Sequence, residues 1–135
     1  MDILQQFVRD NQVKWEVRPI VEIVGGEKVS VGYELEISAA SNGIAASPAL
    51  FRDLTAVAQS VLPRELDATR VEVLPFDHSV RLDPHDRLRP RVLLKLRIIH
   101  ATGYFQAATS DQTKCLREVE QALRSLGVTK RTREL

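Results

Sequence analysis

Apolar and polar residues alternate along two long stretches near the start of the chain. From Val13 to Ile23 the odd positions are apolar and most even positions are charged. Strict alternation over this length predicts a strand with one buried and one solvent-facing side. Gly25-Gly26 follows and indicates a tight turn, because glycine adopts the positive φ that two-residue hairpin turns require. The alternation resumes from Val29 to Ile37, so the pattern predicts a long hairpin.

Pro19 interrupts the hydrogen-bonding capacity of the first strand. Because proline has no backbone N–H, we expect this strand to lie at a sheet edge or to carry a bulge near Pro19. Four apolar residues fall on the nominally solvent-facing side of the predicted strands: Ile20, Val24, Leu93 and Ile99. Such residues on long strands are typical of an oligomer interface.

The order strand, turn, strand, polar loop, helix occurs twice, over residues 13–62 and 70–126. Aligning Leu35 with Leu96 brings Leu54 close to the register of Leu116, with a one-residue slip. The equivalent helix positions Leu54, Val57, Leu116 and Val119 are therefore predicted to be buried. In the second unit Pro75 interrupts the first strand, and a long charged excursion is expected to run as far as Pro90.

Helix signals complete the pattern. Residues 2–11 predict a short helix capped by Asp2, and Ser47-Pro48 predicts the start of a second helix. A third helix is expected to begin with a capping box formed by Thr109 and Gln112, and to end at Gly127. The tail, residues 128–135, is basic and polar.

The sequence therefore predicts a single α+β domain over residues 1–135. Its expected architecture is a two-layer sandwich in the order α-β-β-α-β-β-α, with a four-stranded antiparallel sheet built from a ββα pseudo-repeat and helices on one face.

Composition narrows the function classes. The chain has 135 residues and a formal net charge of +1, which argues against a protein built chiefly to coat nucleic acid or an anionic membrane. The single cysteine, Cys115, excludes an internal disulfide and a site of several thiolates, and we expect it to be a partly buried structural thiol. With no apolar stretch long enough to span a membrane and no secretory signal, a cytoplasmic location is the expectation.

Basic residues concentrate in one segment. Its candidate binding residues are Arg87, Arg89, Arg91, Lys95 and Arg97. One interpretation is that they pair with the acidic Glu34 and Glu36 of the second strand, within the molecule or across a dimer. The other is a surface for a phosphate-bearing ligand, an acidic protein or nucleic acid, although the low aromatic content of 5% disfavours nucleic acid.

A histidine and two aromatic residues form a second candidate site. His100 ends the predicted fourth strand, and Tyr104 and Phe105 occupy the following loop. The aromatic pair is predicted either to close one end of the core or to line a pocket or interface. No histidine has metal-ligand spacing and no catalytic motif is present, so no catalytic residue, metal or cofactor is predicted.

The predicted element order is similar to that of pterin carbinolamine dehydratases. His100 falls where that family carries a Thr-His at a strand end, but Ile99 stands in place of the threonine. The family's His-His-Pro is also missing from the segment 62–65. The resemblance implies that fold and its oligomeric habit, but does not extend to the dehydratase residues.

These observations favour a non-enzymatic protein-interaction or assembly module that acts as a homo-oligomer. One alternative is a small-molecule enzyme or binding protein with a pocket near His100, Tyr104 and Phe105. A further alternative is nucleic-acid binding through the basic segment, residues 81–97.

Overall fold

The computed structural model describes residues 2–40, 48–62, 69–73, 81–83, 86–100 and 110–131. The helices within these ranges are α1 (Ile3–Asp10), α2 (Pro48–Val61) and α3 (Ser110–Ser125). The strands are β1 (Lys14–Val24), β2 (Glu27–Ala40), β3 (Thr69–Val73), β4 (Arg81–Asp83), β5 (Asp86–His100) and β6 (Thr129–Lys130). The α+β class expected from the sequence is confirmed.

The strands form one mixed sheet in the order β3-β5-β2-β1-β6, with β4 also paired to β5. Every described pairing is antiparallel except that of β6, which runs parallel to β1. The sheet therefore differs from the four-stranded antiparallel sheet that the alternation predicts. The ββα pseudo-repeat stays a prediction, since β1 and β2 form an unbroken hairpin while two separate strands, β3 and β4, pair with β5.

The two central strands explain where the core lies. In the β2–β5 register Leu35 is opposite Leu96 and Ile37 is opposite Leu94, so that one face of the sheet is continuously apolar. Buried side chains of all three helices belong to the same hydrophobic cluster as these residues. The predicted helix positions Leu54, Val57, Leu116 and Val119 are confirmed as buried, with exposures of 0%, 0%, 8% and 1%.

Local capping signals fix the helix ends. Asp2 Oδ1 accepts a hydrogen bond from Leu4 N–H, and Asp2 N–H donates to Gln5 Oε1, which completes a capping box on α1. At the end of α3 Gly127 has φ +88°, and Val128 N–H donates to the Leu123 carbonyl across 3.0 Å. This geometry is a Schellman motif and confirms Gly127 as the residue that ends the helix.

The basic tail begins as a strand that holds the edge of the sheet. Arg131 N–H donates to the Trp15 carbonyl across 2.7 Å. The Trp15 indole N–H donates to Glu120 Oε2 at 3.2 Å, and Lys130 Nζ lies 3.3 Å from the same oxygen. One carboxylate of α3 therefore contacts residues of both β1 and β6.

The sequence prediction for the second hairpin needs one correction. The charged excursion expected to reach Pro90 is wrong, because β5 begins at Asp86 and Leu82 pairs with Pro90. The proline is accepted because position 90 precedes the β2 pairing, which starts at Arg91. The expected interruption at Pro75 fits the separate strands β3 and β4, although Pro75 itself lies outside the described residues.

Gly32 should be sensitive to the smallest substitution. A Cβ built at this position would overlap the Ile98 carbonyl oxygen and lie 3.2 Å from Ile99 Cγ2, so β2 and β5 would have to separate. We expect Gly32→Ala to lower the free energy of unfolding by about 1–3 kcal/mol in urea denaturation. Lys28→Ala, at an exposed position of the same strand, is the matched control and should change it by less than about 0.5 kcal/mol. Equal stability of Gly32→Ala and the unmodified chain would contradict this close approach.

Candidate functional site

The predicted site residues divide between the described and undescribed parts of the chain. Arg87, Arg89 and Arg91 lie in the first half of β5, and His100 is its last residue. Tyr104 and Phe105 lie outside the described residues. The pocket predicted beside His100 therefore stays a prediction.

Lys95 and Arg97, by contrast, have described surroundings that pair them with an acidic residue. Lys95 Nζ lies 3.5 Å from Glu34 Oε1, and Arg97 Nε lies 3.7 Å from Glu34 Oε2. Glu34 and Arg97 are direct cross-strand partners in the β2–β5 register. The prediction that basic and acidic strands are neighbours is confirmed, in its within-chain form.

The pairing extends across the sheet into a charged ladder, which we define as Glu16, Arg18, Glu34, Glu36, Lys95 and Arg97. Arg18 bridges the acids of two strands, with Nε 3.8 Å from Glu16 Oε1 and Nη2 3.9 Å from Glu36 Oε2. Glu16 and Glu36 are only 8% and 5% exposed. Because the ladder contains equal numbers of acids and bases, it offers no net positive charge to a phosphate or to nucleic acid.

The β1–β2 hairpin extends past its described pairing with β5. Among the described residues β2 pairs with β5 from Gly32 to Ala40, whereas the pairing of β1 with β2 continues to Val24 and Glu27. We call residues 19–31 the arm. A two-residue turn closes it at Gly25 and Gly26, whose φ values are +59° and +84°, as the sequence predicts.

Two large apolar side chains are exposed on one face of the arm. Val21 is 51% exposed and Ile23 is 70% exposed. They are two residues apart on β1, so their side chains point to the same side. The alternation predicts that both side chains are buried, and this prediction is wrong. The apolar side of β1 continues to Ile23, where the side chains are no longer covered.

A β-bulge separates the arm from the body of the sheet. Ile20 pairs with Gly32 and Val21 pairs with Ser30, so Val31 is the extra residue on β2. Gln112 Nε2 of α3 donates to the Val31 carbonyl at 3.2 Å. The bulge confirms the expectation drawn from Pro19, but it also inverts the pattern beyond it: Val29 pairs with Glu22 and shares its face, contrary to the predicted alternation.

The apolar residues first expected to form an interface are mostly covered. Leu93 and Ile99 are 7% and 5% exposed, so neither offers a surface to another molecule. Ile20 and Val24 are half-buried, and both belong to the arm. Among the strand residues whose exposure the structure describes, the exposed large apolar side chains therefore lie on the arm rather than on the middle of the sheet.

A cleft of about 420 Å³ lies between the end of α1 and the end of α3. Its lining includes two basic residues, Arg9 and Arg124, and the guanidinium of Arg124 also stacks 5.7 Å above the Trp15 ring. Both arginines lie in the last turn of their helices, where a cation is favoured by the helix dipole. None of the site residues predicted from the sequence lines this cleft.

Other candidate chemistry is limited in the described part of the chain. Among these residues no group of three or more histidine, cysteine, aspartate or glutamate side chains could hold a metal ion. Cys115 is buried in α3 as expected. No helix in the described ranges is long and apolar enough to cross a membrane.

Comparison with known proteins gives no relative from which a role could be transferred. Protein-family models, curated proteins and solved structures were all searched, and none matches this chain.

Glu34 should contribute more to stability than an acid on the open surface. Its carboxylate faces both Lys95 and Arg97, and its side chain is only 19% exposed, so neutralising it leaves two half-buried cations near each other. We expect Glu34→Gln to lower the free energy of unfolding by about 1 kcal/mol, measured in urea at low salt. Glu118→Gln, at an exposed position of α3, is the control and should have little effect. An unchanged stability for Glu34→Gln would mean that the ladder is electrostatically unimportant.

Proposed function

We propose that this chain is a non-enzymatic assembly module that acts as a homo-oligomer, and that the arm is its contact surface. The observation that carries the proposal is the exposure of Val21 and Ile23, at 51% and 70%, on one side of a hairpin that extends past its described pairing with β5. Adjacent exposed apolar side chains are typical of surfaces that associate with other protein.

The arm is suited to association by its paired backbone as well as by its exposed apolar side chains. The backbone is held by cross-strand pairs from Ile20 to Val24 and by a two-residue turn, so little conformational freedom remains to be lost on binding. Covering a valine or isoleucine side chain completely stabilises a complex by about 1.5–3 kcal/mol. Val21 and Ile23 are already partly covered, at 51% and 70% exposure, so each would contribute a part of that amount.

The charge arrangement supports a protein partner over a polyanion. Lys95 and Arg97 already face Glu34 within the chain, which reduces their value for binding phosphate. Arg87, Arg89 and Arg91 remain candidates for an acidic protein partner. The pseudo-repeat over 13–62 and 70–126 is kept as part of the proposal. In it β2 and β5 would be equivalent strands, and they are neighbours in the sheet.

Replacing the exposed apolar pair should weaken self-association. The double variant Val21→Thr with Ile23→Thr keeps β-branched residues that favour a strand while removing apolar surface. Sedimentation equilibrium at micromolar concentration should show a dimer or larger species for the unmodified chain, and an association constant lower by about tenfold or more for the double variant.

Ile3→Thr is the matched control, because Ile3 is 85% exposed on α1 and lies outside the arm. It should leave the association constant unchanged. A monomer at high concentration for the unmodified chain would exclude the proposed function, and equal effects of the arm and control variants would exclude the arm as the contact.

A further inference from the structure

The free edge of β1 carries backbone groups suited to pairing with another strand. Among the described residues β1 pairs with β6 only at Lys14 and Trp15, which leaves the same edge open from Val17 onward. The carbonyls of Val13 and Trp15 point towards β6, so the odd residues direct their backbone groups to this side. Because the extra residue of the bulge is on β2, the alternation on β1 continues unbroken to Val21 and Ile23.

Pro19 limits where a second strand can lie. It is one of the odd residues, so its ring occupies the free edge in place of an N–H donor. An added antiparallel strand that covered Pro19 would lose a hydrogen bond and meet the ring. The usable edge therefore runs from Ile20 to Val24.

We infer that two copies of the chain join through this edge, β1 against β1, in an antiparallel ladder centred on Glu22. This inference rests on the proposed self-association and specifies its geometry. Val21 of one copy would exchange both backbone hydrogen bonds with Ile23 of the second copy, and the reverse pair would do the same. Of the antiparallel self-pairings that leave Pro19 outside the ladder, this one is the longest.

The side chains of a second copy fit this register. The two most exposed apolar side chains of the arm, Val21 and Ile23, meet each other across the junction. On the opposite face Ile20 meets Val24, both of them half-buried in the single chain. Pro19 comes to lie opposite Gly25, where space is open because no side chain is present. Each contact occurs twice around a two-fold axis, as an isologous dimer requires.

Glu22 is the one unfavourable residue in this arrangement, and it makes the register testable. It is exposed in the single chain and would face Glu22 of the second copy at the two-fold axis. Like charges directly opposite in a non-hydrogen-bonded pair oppose association. The Glu22 pair therefore weakens the dimer and keeps it reversible.

Cysteine cross-linking tests the register directly. In a Cys115→Ala background, Glu22→Cys would place two thiols across a non-hydrogen-bonded pair, with Cα atoms about 4.5 Å apart, within the disulfide range of about 4.4–6.8 Å. Ile20→Cys is the matched control, since its two copies would lie about 13 Å apart along the strands. We expect mild oxidation to convert the Glu22→Cys chain to a covalent dimer and to leave the Ile20→Cys chain largely uncross-linked.

A charge-neutral variant gives an independent readout. Glu22→Gln removes the repulsion at the axis and should tighten self-association by about two- to fivefold in sedimentation equilibrium. Glu27→Gln, an exposed acid on the other strand of the same arm, should leave the association constant unchanged. Selective cross-linking at position 22 together with tightening by Glu22→Gln would support the inferred ladder.

Failure of the inferred register and failure of the proposed assembly function give different experimental results. If the unmodified chain self-associates through Val21 and Ile23 but position 22 does not cross-link in preference to position 20, the edge-to-edge register is wrong and the assembly function stands. If the unmodified chain is a monomer, both the register and the assembly function are overturned.

Discussion

The register between β2 and β5 is the constraint on which the rest of the structure depends. It places Leu35 opposite Leu96 on the face that the helices cover, and at the same time Glu34 opposite Arg97 on the other face. A slip of one residue would move the carboxylates of β2 into the apolar core and the leucines out of it. Both faces therefore specify the same alignment, one by burial and the other by charge. Gly32, whose missing side chain lets the strands approach, marks the end of this shared register.

The arm begins where the described register between β2 and β5 ends. Beyond Gly32 the pairing with β5 ends, and Val31 enters β2 as an extra residue. The bulge changes which β2 residues share a face with β1, while the alternation on β1 continues unchanged. Val21 and Ile23 thus keep the apolar character of a core strand where their side chains are exposed. A residue pattern that stabilises the body of the sheet becomes, a few residues further along, a surface suited to association.

The charged ladder and the arm have opposite consequences for function. In the ladder, acids and bases neutralise one another within the chain, so the basic segment that dominates the sequence is partly used for its own folding. In the arm, by contrast, Val21 and Ile23 keep 51% and 70% of their surface exposed. This division explains why an assembly role is better supported than binding of a polyanion, and why self-association is placed at one edge of the sheet. Pro19 and Glu22 restrict how that edge can pair, because proline and charged residues on an edge strand oppose pairing with another chain.

The sequence by itself determined the local elements: the hairpin with its Gly25-Gly26 turn, the Asp2 cap of α1, the end of α3 at Gly127, and the buried stripes that contain Leu54 and Val119. These depend on residues close together in the chain, so their period and their capping residues are sufficient. Only the tertiary structure decided the neighbours. The parallel pairing of β6, the burial of Leu93 and Ile99, and the exposure of Val21 and Ile23 depend on which distant segments come together and where each strand's partner ends. Alternation states that one side of a strand is apolar, but it does not state how far along that side the core extends.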